Sequence, residues 1–385
     1  MSAAEKATSA INAARPGLLE LSHFVHAHPE LGYEEFQSAE AVAKACEKAG
    51  FVVERAIASL PTAFRATAGS GDLHIFFCAE YDALPDVGHA CGHNIIAASS
   101  VGAAIGLAAV ADELNLQVTL LGTPSEEGGG GKIDLIKAGY FDDAHAAMMI
   151  HPWPNERLEA TCLAVDHFDV TFEGKDAHAS AAPWEGVNAL DALTISQVAL
   201  ALLRQQFRHG DQVHGIVAEG GSAANIIPSH VVGRFMARSA TSERLAELRV
   251  RIDACFEAGA VATGARLTIE ELGSAFSHME SDPELLAHYR AAAESIGRSF
   301  ELDDAGAAKP TISTDMANVS LVVPSIHPLL AIPTDGAVNH QPEFTASCIT
   351  EAADQAVIDG AVALALTAVG VAQDESLRTR LESRS

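Results

Sequence analysis

The sequence predicts an α/β fold: a doubly wound domain with a mostly parallel sheet, interrupted by a smaller inserted α+β domain. Three observations carry this. Apolar runs of strand length alternate with helical stretches through the first half of the chain. From about residue 165 to 272 the strands instead interleave polar and apolar residues, and after residue 280 the helical pattern returns. The expected parts are 1–168 and 279–385 for the large domain and 169–278 for the insertion. With 385 residues, 48% hydrophobic and only 19% charged, the chain can bury a large core and a small one.

Residues 13–28 and 38–49 are Ala-rich amphipathic stretches of helical spacing, with Pro29-Glu30-Leu31-Gly32-Tyr33 as the turn between them. Residues 73–79, Leu-His-Ile-Phe-Phe-Cys-Ala, form an apolar run suited to a parallel strand covered on both faces. Residues 117–122 and 144–150 read as two more such strands, and helices fill 95–113 and 132–138. The insertion reads as strands at 165–172, 212–219, 231–239 and 266–272 with helices at 188–207 and 245–258. A helix at 283–296, short strands at 319–322 and 329–332, and a long helix at 346–369 close the large domain, with the charged last dozen residues as a frayed tail.

The formal charge is −27, from 24 basic and 51 acidic residues, which repels phosphate backbones and argues against nucleic acid as a partner. The opening Met-Ser-Ala-Ala-Glu-Lys has neither a basic nor an apolar leader region, and the smooth stretch 95–110 is too short to span a bilayer. Neither secretion nor a membrane partner is therefore expected. Six cysteines spread over the chain form no disulfide framework, so a cytoplasmic location is expected, where Cys91 is a metal ligand or a buried thiol.

The chemistry concentrates in loops that follow the expected strands. Cys91 and His93 lie after 73–79, Glu126 and Glu127 after 117–122, His151 after 144–150, and His340 after 329–332. Thiolate, imidazole and carboxylate are the donors that zinc and its relatives take. The carboxyl ends of strands are where open α/β sheets place their sites. Singly, these residues also read as a chance Cys-x-His, a solvated turn and satisfied core histidines; their convergence points to a metal centre. Asp82 either orients a liganding histidine from behind or caps the turn before Ala83-Leu84-Pro85.

The motifs Glu80-Tyr81-Asp82-Ala83-Leu84-Pro85, Gly88-His89-Ala90-Cys91-Gly92-His93-Asn94, Pro124-Ser125-Glu126-Glu127-Gly128, Gly174-Lys175-Asp176-Ala177-His178, Asn225-Ile226-Ile227-Pro228 and His340-Gln341-Pro342-Glu343-Phe344 resemble those of the peptidase family M20 metallohydrolases, the zinc-type amidohydrolases. The wording is that of the branch with a cysteine ligand, in the aminoacylase-1-like and aminobenzoyl-glutamate hydrolase group. The resemblance implies a catalytic α/β domain carrying a dimerisation or lid domain, and a homodimer formed through that insertion. It implies two divalent ions (zinc, manganese or cobalt), with Cys91 bridging, His93 and His151 on one ion, and Glu127 and His340 on the other. Glu126 is then the general base, His178 stabilises the oxyanion from across the dimer, and Asn225 and Arg238 grip the substrate carboxylate. Spacing alone leaves the roles of Glu126 and Glu127 interchangeable. Glu80 stands where the carboxypeptidase branch carries a histidine ligand, and Ser313-Thr314-Asp315 resembles a segment typical of the group without an evident role.

The implied function is hydrolysis of the amide bond of an N-acyl amino acid or small dipeptide by water activated at the metals. A metal-independent cysteine hydrolase using Cys91 leaves Glu126, Glu127, His151 and His340 unexplained. A nucleotide-binding enzyme lacks a phosphate loop, because no Lys-Ser/Thr follows Gly128-Gly129-Gly130-Gly131. A degenerate, non-catalytic binding protein would lack part of the donor set.

Overall fold

The computed structural model describes residues 1–383. The chain divides into two compact units, one formed by Met1–Thr161 with Met279–Ser385 and the other by Cys162–His278. The insertion thus begins at Cys162 and not at residue 169, which falls inside the strand Ala164–Glu173. A boundary there would cut a ladder whose ten pairs to His230–Ser239 start at Ala164.

In the large unit a six-stranded sheet runs in the order Val52–Arg55, Phe64–Gly69, Leu116–Gly122, Leu73–Ala79, Ala146–Met148, Ser325–Ile326. The first two pairings are antiparallel and the remaining three parallel, so the sheet is mixed rather than mostly parallel. The difference comes from Val52–Arg55 and Phe64–Gly69, two strands the hydrophobic pattern does not announce. Val52–Arg55 is a largely exposed edge strand, and Phe64–Gly69 carries Arg, Thr and Gly among its six residues. Leu73–Ala79 and Leu116–Gly122 lie between other strands and are buried nearly throughout, as their uniform apolar runs require.

The helices Ala3–Ala27, His93–Ala108 and Glu351–Gln373 pack together in the main core. Close approach explains their small residues. A Cβ on Gly102 would stand 2.7 Å from the Ala361 Cβ, and one on Gly106 would stand 2.7 Å from the Ile11 Cδ1. Glu351–Gln373 is apolar and long enough to cross a membrane by composition, but 78% of its apolar window is buried within the protein. It starts after a break: Pro342–Ser347 is a separate short helix, and Thr350 caps Glu351–Gln373 by accepting from the Ala353 N–H.

Two further expectations fail. Residues 319–322 are no strand; Val319 belongs to the helix Met316–Ser320, whose Met316, Ala317, Val319 and Ser320 are buried. The C-terminal residues are not frayed as far as Glu382. Asp374 caps the helix Glu375–Glu382, Arg378 donates to the Leu114 carbonyl at 2.7 Å, and Leu377 and Leu381 are buried. The charge that suggests a tail occupies the outer face of an amphipathic helix.

The inserted unit is a four-stranded antiparallel sheet in the order Arg266–Glu271, Ala164–Glu173, His230–Ser239, Gln212–Glu219. The helices Ala189–Leu203 and Ser242–Thr263 pack on one face, over Phe168, Phe172 and Phe235, with Phe256 reaching in from the second helix. Gln212–Glu219 is an edge strand and is exposed along nearly its whole length.

Because Leu381 is wholly buried, Leu381→Ala is expected to destabilise the protein by about 2–4 kcal/mol. Chemical denaturation reads this as a lowered midpoint, whereas a frayed tail would leave the midpoint unmoved.

Candidate metal centre

The strand Leu73–Ala79 delivers Glu80, Tyr81 and Asp82 into a buried position at its carboxyl end. The chain then turns through Leu84 and Gly88, which exchange backbone hydrogen bonds, and reaches Cys91 and Gly92. Gly92 has φ +77°, and a Cβ there would stand 2.8 Å from the Pro152 Cγ, so both the backbone and the space demand glycine. His93 opens the following helix, His93–Ala108.

Ser125, after the strand Leu116–Gly122, adopts a left-handed φ of +58° at the turn that leads into Glu126 and Glu127. The buried Glu35 carboxylate holds this turn, accepting from the Ser125 N–H at 2.8 Å and the Thr62 hydroxyl at 2.9 Å. His151 begins a short strand paired with Leu329–Ala331. His340, with φ +71°, donates its backbone N–H to the Ala90 carbonyl at 3.0 Å, which pins it to the Cys91 loop.

These elements bring every expected ligand together. The donor atoms of Cys91, His93 and His151 lie within 4.8 Å of one another, as do those of Cys91, Glu127 and His340. A third group joins Glu80, His93 and Glu126. Cys91 is common to the first two groups and Glu126 belongs to neither. Cys91, His93, Glu126 and His151 are buried, whereas the His340 side chain is 62% exposed.

The histidines are set up to ligate. His93 Nδ1 lies 2.8 Å from the Asp82 carbonyl and 3.0 Å from the Asp82 Oδ1, and His151 Nδ1 lies 2.8 Å from the Pro152 carbonyl. Carbonyl oxygens only accept, so each Nδ1 carries a hydrogen, which leaves Nε2 as the ring atom available to a metal. His93 Nε2 is buried without a hydrogen-bond partner among the described residues, a position a divalent ion fills. The other Asp82 oxygen accepts from the Glu127 N–H at 2.9 Å, so one carboxylate orients two ligand-bearing loops.

The electrostatics are those of a cation site. Burial, and then the Glu127 charge, push the Cys91 thiol well above its ordinary value. Burial, then Glu80 and Glu127, raise Glu126 in the same way. Burial alone would lower His93, but Asp82, Glu80 and Glu127 hold it well above the usual imidazole range. Burial and the neighbouring His327 keep His151 far below that range, as a neutral imidazole. A bound cation replaces protons in such a cluster, so metal binding releases protons and strengthens as pH rises.

The other expected site residues lie in the inserted unit. His178 is exposed, and its Nδ1 accepts from the Ser180 and Ala181 N–H groups, both at 3.3 Å. The exposed Asn225 is its neighbour: the Ala179 N–H donates to the Asn225 carbonyl at 3.0 Å, and Ile226 bridges to His178. Arg238 is not with them. It lies opposite Gln212, whereas Val232, near the other end of the same strand, lies opposite Glu219. The eight steps from His230 to Arg238 span about 26 Å of strand. Arg238 therefore stands toward the opposite end of that strand from His230.

Behind the ligands, Lys132 and His327 have no counterpart among the sequence motifs. Lys132 is wholly buried, 2.5 Å from Glu80 Oε1 and 2.6 Å from Asp315 Oδ1. Asp315 is the acidic member of the Ser313-Thr314-Asp315 segment. His327 is buried with its ring 5.5 Å from that of His151, and its Nε2 lacks a hydrogen-bond partner among the described residues. A lysine in the first turn of a short helix gives no signal of burial; only the acid directly after an apolar strand, Glu80, is legible as unusual.

The sequence model of peptidase family M20/M25/M40 matches residues 76–357. The Xaa-Arg dipeptidase of Mus musculus is 39% identical over 381 residues, spanning 95% of this chain and 88% of that protein. The N-acetyl-L-cysteine deacetylase of Bacillus subtilis is 30% identical over 267 residues, spanning 62% of this chain and 63% of that protein. Among solved structures, a dinuclear metal-binding M20 peptidase from Bacillus subtilis shares the fold, with a TM-score of 0.70 at 20% identity, covering 93% of this chain and 99% of that one.

Two outcomes test this arrangement. Asp82→Ala is expected to weaken metal binding about 10–100-fold, read by titrating metal-stripped protein. Glu35, pushed up to about 7 by burial and then by the Asp82 charge, ionises later in the folded than in the unfolded chain. Its contribution to stability is therefore lost as pH rises from about 4.5 to 7. In metal-free protein, Glu35→Gln should gain stability relative to the parent between about pH 5 and 8; an unchanged difference across that range would contradict it.

Proposed function

The chain belongs to peptidase family M20/M25/M40, and from that premise we propose the reaction it performs and the substrate it takes. It is a metal-dependent amidohydrolase or dipeptidase acting on the amide bond of an N-acyl amino acid or dipeptide. The observation that carries the reading is the sharing of Cys91 between the His93–His151 and the Glu127–His340 donors. That set suits a dinuclear site for zinc, manganese or cobalt. Ions held there supply Lewis acidity that polarises the amide carbonyl and acidifies water.

The protein's own residues do the rest. Glu126 stands outside both Cys91-centred groups, which supports it as the base that takes a proton from water and delivers it to the leaving nitrogen. Glu127 has its donor atom beside those of Cys91 and His340, and its backbone N–H is held by Asp82. The ordinary consequence of losing a general base is a fall in kcat of about 10²–10⁴, expected for Glu126→Gln with KM little changed.

For the substrate we propose a dipeptide with a basic C-terminal residue. The likeness to an Xaa-Arg dipeptidase supports this, and so does the net charge of −27, which attracts a cation and repels the dianion aminobenzoyl-glutamate. A panel of Xaa-Arg and Xaa-Lys dipeptides, N-acetyl amino acids and aminobenzoyl-glutamate tests it. The basic dipeptides should give the highest kcat/KM, falling as salt is added; preference for aminobenzoyl-glutamate would overturn the assignment.

We propose a homodimer through the inserted unit. Its edge strand Gln212–Glu219 exposes Ile216 and Val217, and the adjoining helix exposes Ile195, Val198 and Leu202. Antiparallel pairing of two such edges about a two-fold axis sets the Arg238 end of one copy beside the His178–Asn225 end of the other. His178 then stabilises the oxyanion in the opposite copy's site, with Asn225 and Arg238 on the substrate. Inactive His178→Ala and Glu126→Gln proteins, mixed and re-equilibrated, should recover about a quarter of the parental activity; no recovery would refute sharing across the dimer. We also propose a reducing cytoplasm, supported by the free, buried thiols of Cys46, Cys78, Cys91 and Cys348.

A further inference from the structure

We propose that Lys132 is a positioning residue for Glu126, acting through Glu80 from behind the metal centre. This rests on the role given to Glu126 above and deepens it, because it says what keeps that carboxylate in place.

The turn that carries Glu126 is held from its entry to its exit. The Ser125 carbonyl accepts from the Gly129 and Gly130 N–H groups at 3.1 and 2.8 Å. Glu35 and Asp82 hold the Ser125 and Glu127 N–H groups. The return is tight, since a Cβ on Gly131 would stand 2.1 Å from the Pro124 carbonyl oxygen. At the exit the Lys132 N–H donates to Asp315 Oδ2 at 2.9 Å. The Lys132 ammonium donates to Asp315 Oδ1 at 2.6 Å and to Glu80 Oε1, at the end of the strand Leu73–Ala79, at 2.5 Å. One side chain thus ties together the exit of the Glu126 turn, the Ser313-Thr314-Asp315 segment and that strand end.

Glu80 carries the effect to Glu126. An oxygen of Glu80 and one of Glu126 lie within 4.8 Å of each other. Glu80 Oε2 is buried without a hydrogen-bond partner among the described residues. Neutralising Lys132 does not by itself require Glu80 in this place, since Asp315 already opposes that charge. With Oε1 held by the ammonium, the Glu80 carboxylate keeps one direction. In its ionised form Glu126 is repelled by a carboxylate this close, so a fixed Glu80 bounds the space that Glu126 explores. A Glu80 released from Lys132 sets no such boundary.

Stability alone does not account for this network. Glu80, Lys132 and Asp315 are wholly buried, and buried ion pairs are often no more stabilising than apolar side chains of similar volume. What a paired, buried polar network supplies is a fixed geometry. Here that geometry lies next to the carboxylate that must meet water and the leaving nitrogen.

The test measures kcat, KM and bound metal for metal-loaded full-length protein on the panel of dipeptides and N-acyl amino acids. Lys132→Met should lower kcat about 10–100-fold with KM little changed. Its metal content should stay that of the parent, because losing a positive charge beside the donors does not weaken cation binding. A merely structural lesion would instead lower metal content and stability together. Glu80→Gln should also lower kcat, and combining it with Lys132→Met should cost no more than the worse single change. Lys132→Met leaves two buried acids unpaired; adding Asp315→Asn restores the net charge of the set and should keep the loss of kcat. Parental kcat in either folded Lys132 variant overturns the proposal, and so do losses that multiply in the Lys132–Glu80 pair. A crystal structure of the metal-loaded parent needs no variant: Glu80 on Lys132 and on neither ion supports the proposal, and Glu80 bound to an ion overturns it. A metal-loaded parent that hydrolyses no member of the panel overturns the hydrolase reading itself, whereas an active parent with unaffected variants overturns the positioning role alone.

Discussion

The centre depends on the buried Asp82 carboxylate. One oxygen accepts from His93 at 3.0 Å and the other from the Glu127 N–H at 2.9 Å, joining loops that follow two different strands. Its ionised form prevails although burial opposes it, because His93 and the Glu127 N–H favour the charge and hold the carboxyl below its usual range. The same bond sets a His93 hydrogen on Nδ1, which leaves Nε2 as the ring atom directed at the other donors. Glu35 acts on the neighbouring turn, holding Ser125 in a left-handed conformation that a non-glycine residue adopts only at a cost. Two buried acids thus set the direction of ligands they do not replace.

That geometry was only partly legible in the sequence. The ligands were, because a metal site needs specific donor types and strand ends place them. Cys91, His93, Glu127, His151 and His340 converge as the loops suggested. The interchange of Glu126 and Glu127 was not resolvable from spacing, since both follow the same strand; their donor atoms fall in different groups, Glu127 with Cys91 and His340 and Glu126 with Glu80 and His93. Lys132 and Asp315 were invisible as partners because an ion pair between residues 183 apart leaves no local periodicity. The parallel strands were legible through their uniform apolar runs, and the antiparallel edge was not, since a strand with one exposed face and four to six residues carries little pattern.

The inserted unit poses a different constraint. Its sheet separates His178 and Asn225 from Arg238 by most of a ten-residue strand. Sequence spacing treats these as one binding group, but a strand is stiff and its two ends cannot be brought to one ligand. If all three serve a substrate, two copies must supply them. The homodimer proposed above would use the exposed edge strand Gln212–Glu219, since pairing of two such edges would fix both the two-fold relation and the register of opposite ends.

The charge balance around the metals argues for the same economy of roles. Glu80, Asp82, Glu126 and Asp315 are buried together with the Cys91 thiol, and Lys132 is the buried ammonium placed among them. Burial by itself would lower Lys132, yet Asp315 and Glu80 hold it well above its ordinary value, so it stays charged. One fixed positive charge against this many acids leaves a deficit that protons fill in the ion-free protein, as the raised Cys91 and Glu126 show. Two divalent ions at the two Cys91-centred groups would remove the deficit. A carboxylate can serve as a base only in its ionised form, so the base role proposed for Glu126 would depend on those ions being bound. Metal occupancy would then set the protonation state of Glu126 as well as the Lewis acidity of the site.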